Sequence, residues 1–138
     1  MTLSIRNQLP GTVTDVSPGE VMATVKVRLS GGRTLTAAIT KEAAEDLALA
    51  AGTTVRALVK STEISLATGE VGTLSIRNQL PGTVTAVTTG PAMAAVKVAV
   101  DGIELTAAIT KDAAADLALA AGTPVVALIK STEVSLAT

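Results

Sequence analysis

Apolar and polar residues alternate along several stretches of the chain. Val25-Lys26-Val27-Arg28-Leu29 and Val96-Lys97-Val98-Ala99-Val100 put branched residues at every second position, the period of a strand with one buried face. Val13 and Val16 carry the same character earlier on. Ser30-Gly31-Gly32 and Asp101-Gly102 then read as hairpin turns, Asp-Gly being a strong turn pair. Thr34 to Ile39 returns as the next strand. There the period changes. Ala43, Ala44, Leu47 and Ala51 form a helical stripe. Thr40 is placed as its N-cap, Glu42 faces the dipole from the first turn, and Gly52 fits the C′ position. Thr53 to Leu66 reads as strand again, with Val55, Ala57 and Val59 alternating with Arg56 and Leu58. Asn7-Gln8-Leu9-Pro10-Gly11 reads as a turn, since Pro and Gly suit turn positions.

The pattern occurs twice. LSIRNQLPGTVT at 3–14 recurs at 74–85, TAAITK at 36–41 at 106–111, DLALAAGT at 46–53 at 116–123, and KSTE at 60–63 at 130–133. Between 35–68 and 105–138, 28 of 34 positions are identical, so the chain is a tandem duplication. The expected organisation is one unit over 1–68, a short linker over 69–73 and a second unit over 74–138. The second helix runs from its cap at Thr110 towards Gly122. Strand-rich units with one short helix define a mainly β protein of two tandem OB-like small β-barrels. A unit of this size buries only ~60% of its unfolded surface, and here it does so without one aromatic side chain. The two copies are therefore expected to pack on each other, or chains to assemble further.

Composition narrows the chemistry. The 138 residues include no His, Cys, Trp, Tyr or Phe. Thiolate nucleophiles, serine–histidine triads, disulfides and the usual structural zinc or haem ligands are excluded. No ring can stack on a nucleic-acid base. A formal charge of -1, from 11 basic and 12 acidic residues, argues against binding nucleic acid or an anionic membrane surface through a broad positive field. No apolar run approaches the ~18 residues of a membrane span. The opening MTLSIRNQLPG meets Arg and Pro too early for a secretion signal, and a cytoplasmic protein is the expectation. Glu42 and Asp46 lie four apart on one helix face, and Glu63 and Glu133 stand alone, which gives no case for acid–base catalysis; an enzyme is not expected.

What both copies share is hydroxyls and cations: Ser4, Arg6, Asn7 and Gln8; Thr40 and Lys41; Lys60, Ser61, Thr62 and Glu63, with their counterparts from Ser75 to Glu133. A tetrahedral oxyanion presents only acceptors. It needs N–H and O–H donors with one or two positive charges, which Arg, Lys, Ser, Thr and a helix N-terminus supply. Each residue also has a plainer reading: Arg6 as an edge charge, Thr40 as a helix cap, Lys60-Ser61 as an exposed strand end. An OB-like interaction module and a structural oligomer without anion binding stand as alternatives.

The opening S-I-R-N-Q-L-P-G-T-V at 4–13 and 75–84 resembles the signature of the molybdate-binding Mop domain. The rest of that domain's pattern is matched from Ala38 to Leu66 and from Ala108 to Leu136. Two such copies make the chain similar to the di-Mop molbindins. The resemblance implies OB-like barrels, a cytoplasmic homotrimer, and binding of molybdate, or tungstate as its near twin, at interfaces between subunits or domains for molybdenum storage and homeostasis. No organic cofactor and no cation site are implied. By motif position the ligands would be Ser4, Arg6, Thr40, Lys60 and Ser61 in the first copy, and Ser75, Arg77, Thr110, Lys130 and Ser131 in the second. Asn7 and Asn78 would serve a second kind of site or hold the loop.

Overall fold

A computed structural model describes residues 2–138. The first repeat forms β1 (Asn7–Pro18), β2 (Met22–Leu29), β3 (Thr34–Thr40), α1 (Lys41–Asp46), β4 (Thr54–Val59), a 3-10 turn (Ser61–Glu63) and β5 (Ser65–Ala67). The second forms β6 (Asn78–Thr89), β7 (Met93–Val100), β8 (Ile103–Thr110), α2 (Lys111–Asp116), β9 (Pro124–Ile129), a second 3-10 turn (Ser131–Glu133) and β10 (Ser135–Ala137). The molecule is mainly β, with two curled five-stranded OB-like sheets and two short helices.

Alternation sets the faces. Ala23, Val25, Val27 and Leu29 of β2 are buried and the residues between them exposed, as period 2 demands. β1 is long and central, pairing β2 on one side and β4 on the other. A register shift between Val13 and Asp15 bends it, and such a bulge lets one strand serve a curled sheet.

Three expectations are corrected. Asn7 to Gly11 is the start of β1, not a turn. Pro10 pairs with Arg56 of β4, while the β2 ladder begins only at Gly11, so its missing N–H leaves no ladder bond unmade. Gly11 is required by crowding: a Cβ there would stand 2.6 Å from Val27 Cγ1 and 2.8 Å from the Arg28 carbonyl oxygen. The helix is also shorter than its apolar stripe. It ends at Asp46, and Ala48 takes the left-handed conformation (φ 49°), not Gly52. Ala48 N–H donates to the Glu45 carbonyl and Leu49 N–H to the Ala44 carbonyl, the paired bonds of a Schellman end. Gly52 instead turns the chain into β4. Lastly, Thr53 to Leu66 is not one strand; it breaks at Lys60 into the 3-10 turn, and β5 leaves for the other repeat.

That departure organises the molecule. The first sheet has the order β10-β4-β1-β2-β3 and the second β5-β9-β6-β7-β8. Each repeat thus lends its last strand to the other: Leu136 pairs with Ala57, and Leu66 with Ala127. One apolar core, including Leu9, Leu35, Val59, Leu80, Leu105 and Ile129, runs through both repeats. The copies do pack on each other, as their thin individual cores require. At the hairpin tips Arg33 pairs with Asp101 at 2.6 Å, both side chains partly exposed to solvent.

Candidate functional site

The site begins where two strands end together. β1 and β4 run antiparallel, and their final pair is Asn7 with Val59. The next residues beyond that pair are Arg6 and Lys60, which line one cavity. In the second repeat Asn78 pairs with Ile129, and the next residues beyond that pair are Arg77 and Lys130. Each repeat therefore has a cation just beyond each of the two paired strand ends.

The chain after Lys60 tightens into the 3-10 turn, closed by Glu63 N–H donating to the Lys60 carbonyl at 2.9 Å. The turn presses Ser61 inward. Its Oγ is cut off from solvent and has no hydrogen-bond partner among the described residues, and Ser131 Oγ is the same. Buried hydroxyls are nearly always bonded, so two orphans at equivalent positions are informative.

Before β1 the chain bends, and Arg6 braces the bend. Its Nε donates to the Ser4 carbonyl at 3.0 Å and its Nη2 to the Leu3 carbonyl at 2.9 Å. Arg77 does the same to the carbonyls of Ser75 and Leu74, at 3.2 and 2.6 Å. Each guanidinium keeps three of its five N–H donors for another acceptor. Among the described residues no carboxylate lies within ion-pair distance of Arg6, Lys60, Arg77 or Lys130. Ser4, Ile5, Arg6, Lys60, Ser61 and Thr62 line one open cavity of about 260 Å³. Four of the five first-copy candidates are thus together. Thr62 was not singled out as a ligand, although its place in the duplicated KSTE was the available signal.

Thr40 is elsewhere. It caps α1, its Oγ1 accepting from Ala43 N–H at 3.1 Å. It lines a separate cavity with Glu20, Val21, Lys41, Glu42 and Glu45. Thr110 caps α2 in the same way. Asn7 and Asn78 are buried and engaged with main-chain groups. Glu63 and Glu133 meet in a smaller cavity, of about 130 Å³, that Lys60 also borders. Among the described residues no three acidic side chains come close enough to hold a metal ion, and no helix is long and apolar enough to cross a membrane.

Two adjacent cations, an unpartnered buried hydroxyl and further hydroxyls form a donor set without a matching acceptor. Like charges placed together without a counter-charge favour an anion between them. The chain belongs to the TOBE-domain family, whose pattern matches residues 3–66 and again 74–136. Within it the chain has the tandem Mop arrangement. Its backbone superposes on a structure of the cytoplasmic molybdate-binding protein ModG, solved with molybdate bound, with a TM-score of 0.97 and 42% identity over 100% of this chain and 99% of that one. The chain is also 41% identical over 139 residues to the molybdenum-pterin-binding protein MopA of Rhodobacter capsulatus. It is 41% identical over 138 residues to the molybdenum transport protein ModE of Azotobacter vinelandii. Both alignments use 99% of this chain but only 52% and 51% of the relatives, so the chain spans about half their length.

Proposed function

We propose that this chain binds molybdate, and tungstate as its isostere, unchanged and reversibly, as a cytoplasmic molybdenum store. The observation that carries the reading is the pair of buried, unpartnered hydroxyls of Ser61 and Ser131, each next in sequence to a lysine that makes no ion pair among the described residues. A tetrahedral dianion meets this set in kind. Its oxygens accept from Arg6 and Lys60, with Ser4 and Thr62 at the rim, or from Arg77 and Lys130, with Ser75, and Ser61 or Ser131 joins once the anion displaces the chain that covers its hydroxyl. The charge-assisted bonds supply most of the attraction. The role is binding, not catalysis: the anion is held and released with no bond made or broken.

The cavity is open in the single chain, and Thr40 lies outside it. The reading therefore places the complete sites between chains of a homotrimer, with Thr40 or Thr110 of a neighbouring copy donating its hydroxyl proton to the anion. Its oxygen already accepts from the helix, which leaves that proton free. Closure by a second chain also removes water, which strengthens the ionic bonds.

Calorimetric titration of anion-stripped protein with molybdate tests this directly. The expected result is saturable heat that excess sulfate or phosphate does not abolish. Absence of heat from a folded sample overturns the reading. Arg6→Ala combined with Arg77→Ala is expected to weaken binding by at least ~30-fold, the equivalent of about 2 kcal/mol for a lost charge partner.

A further inference from the structure

Asn7 and Asn78 are the buried polar residues of the described chain, 2% and 3% exposed. Burying an amide costs free energy unless its donors and acceptor are met. Asn7 Nδ2 donates to the Val59 carbonyl at 3.0 Å and to the Thr106 carbonyl at 2.9 Å, and Asn7 Oδ1 accepts from Thr106 N–H at 2.7 Å. Asn78 makes the same pair of bonds to Thr36, both at 2.8 Å. Each amide thus pairs with both main-chain groups of one residue, as a peptide unit of an added strand would. Its partners lie in β8 and β3, the outer strands of the two sheets, where such groups otherwise stand unpaired.

The position of the partners gives the amide a second consequence. Asn7 adjoins Arg6, and Val59 adjoins Lys60. The bond from Asn7 to Val59 therefore fixes the strand ends from which the two cations emerge. The bonds to Thr106 pin that junction to the opposite repeat. Arg6 and Lys60 carry like charge, and the Asn7 amide adds a side-chain bond across the last ladder pair before them. A loosened junction would have to be ordered again on binding, at the expense of affinity.

We infer that Asn7 is a positioning residue for the anion site of its own repeat, making that site depend on the outer strand of the other repeat; Asn78 makes the matching cross-repeat bonds to Thr36. The inference rests on the anion-binding reading above. It differs from a purely structural role, which would lower stability and leave the affinity of folded protein unchanged.

The test uses full-length protein carrying Arg77→Ala and Lys130→Ala, so that the first site alone reports, titrated with molybdate in the calorimeter. Asn7→Ala is expected to weaken binding 10-fold or more. Val27→Ala, a cavity in the core of β2, is the control: it should lower the melting temperature and leave affinity unchanged. Thr106→Pro is the cross-repeat variant. It removes the N–H that Asn7 accepts from, on the open side of an edge strand where Pro is tolerated, and should weaken the first site although it lies in the second repeat. It also serves if Asn7→Ala does not fold. Folded Asn7→Ala or Thr106→Pro protein that binds as tightly as the Val27→Ala control overturns the positioning role. Failure of the unmodified chain to bind molybdate overturns the anion reading, and this inference with it.

Discussion

A buried hydroxyl without a partner is a cost to the folded chain of about 1–3 kcal/mol. Ser61→Ala and Ser131→Ala should therefore have opposite effects on two measurements. Without anion the melting temperature should hold or rise; with molybdate, affinity should fall about 10-fold. Parallel thermal denaturation and calorimetry would show the split, and a fall in both would mean that the hydroxyls have partners of their own. Ala48 and Ala118 are a second cost, since both hold left-handed backbone (φ 49° and 51°) at the ends of α1 and α2. Ala48→Gly with Ala118→Gly should raise stability by up to about 1 kcal/mol per site, read as a higher denaturation midpoint. Gly11→Ala should do the reverse, because its Cβ would collide with Val27 and the Arg28 carbonyl. A loss of roughly 1–3 kcal/mol is expected in urea unfolding.

At the scale of elements, sequence and structure agree where one face is buried and part where the partner decides. The alternation of Val25 to Leu29 and the cap at Thr40 were legible because local periodicity and side-chain chemistry determine them. Pro10-Gly11 was misleading: the same two residues suit a turn or a crowded central strand, and only the ladder around them distinguishes the cases. Gly52 misled for a related reason, since a rarer left-handed Ala ends the helix first. Arg6 and Lys60 were legible as candidates by type, but their shared cavity required the fold that ends β1 beside β4. The destination of β5 was not legible at all. SLA at 65–67 and at 135–137 is the same tripeptide, and it suits either β4 or β9. The exchange has a direct test. Deleting residues 135–138 should expose the outer edge of β4 and leave that of β9 covered by β5. Hydrogen exchange should then quicken at Arg56 to Leu58 more than at Val126 to Leu128; faster exchange in the second group would mean that each repeat keeps its own last strand.

For the whole molecule, a shared core, two exchanged strands and the reciprocal Asn7 and Asn78 bridges join the repeats into one cooperative body. Thermal unfolding should be a single transition, with calorimetric and van't Hoff enthalpies equal and near 100 kcal/mol at ~0.7 kcal/mol per residue. Two resolved transitions would mean that the repeats unfold independently.

The lent strands also alter what dilution does. Two separate units exchanging their ends would come apart as their abundance fell. Joined through 68–77, each finds its complement at an effective concentration in the millimolar range, whatever the number of molecules in the cell. The pairing of the two halves is thereby freed from expression level. The halves are also freed from sameness. Arg33 meets Asp101 at the hairpin tips, while Ile103 stands where the second repeat would carry the matching arginine. Two identical units could not arrange that difference, so covalent linkage is what allows a symmetric scaffold to acquire a distinguishable front and back.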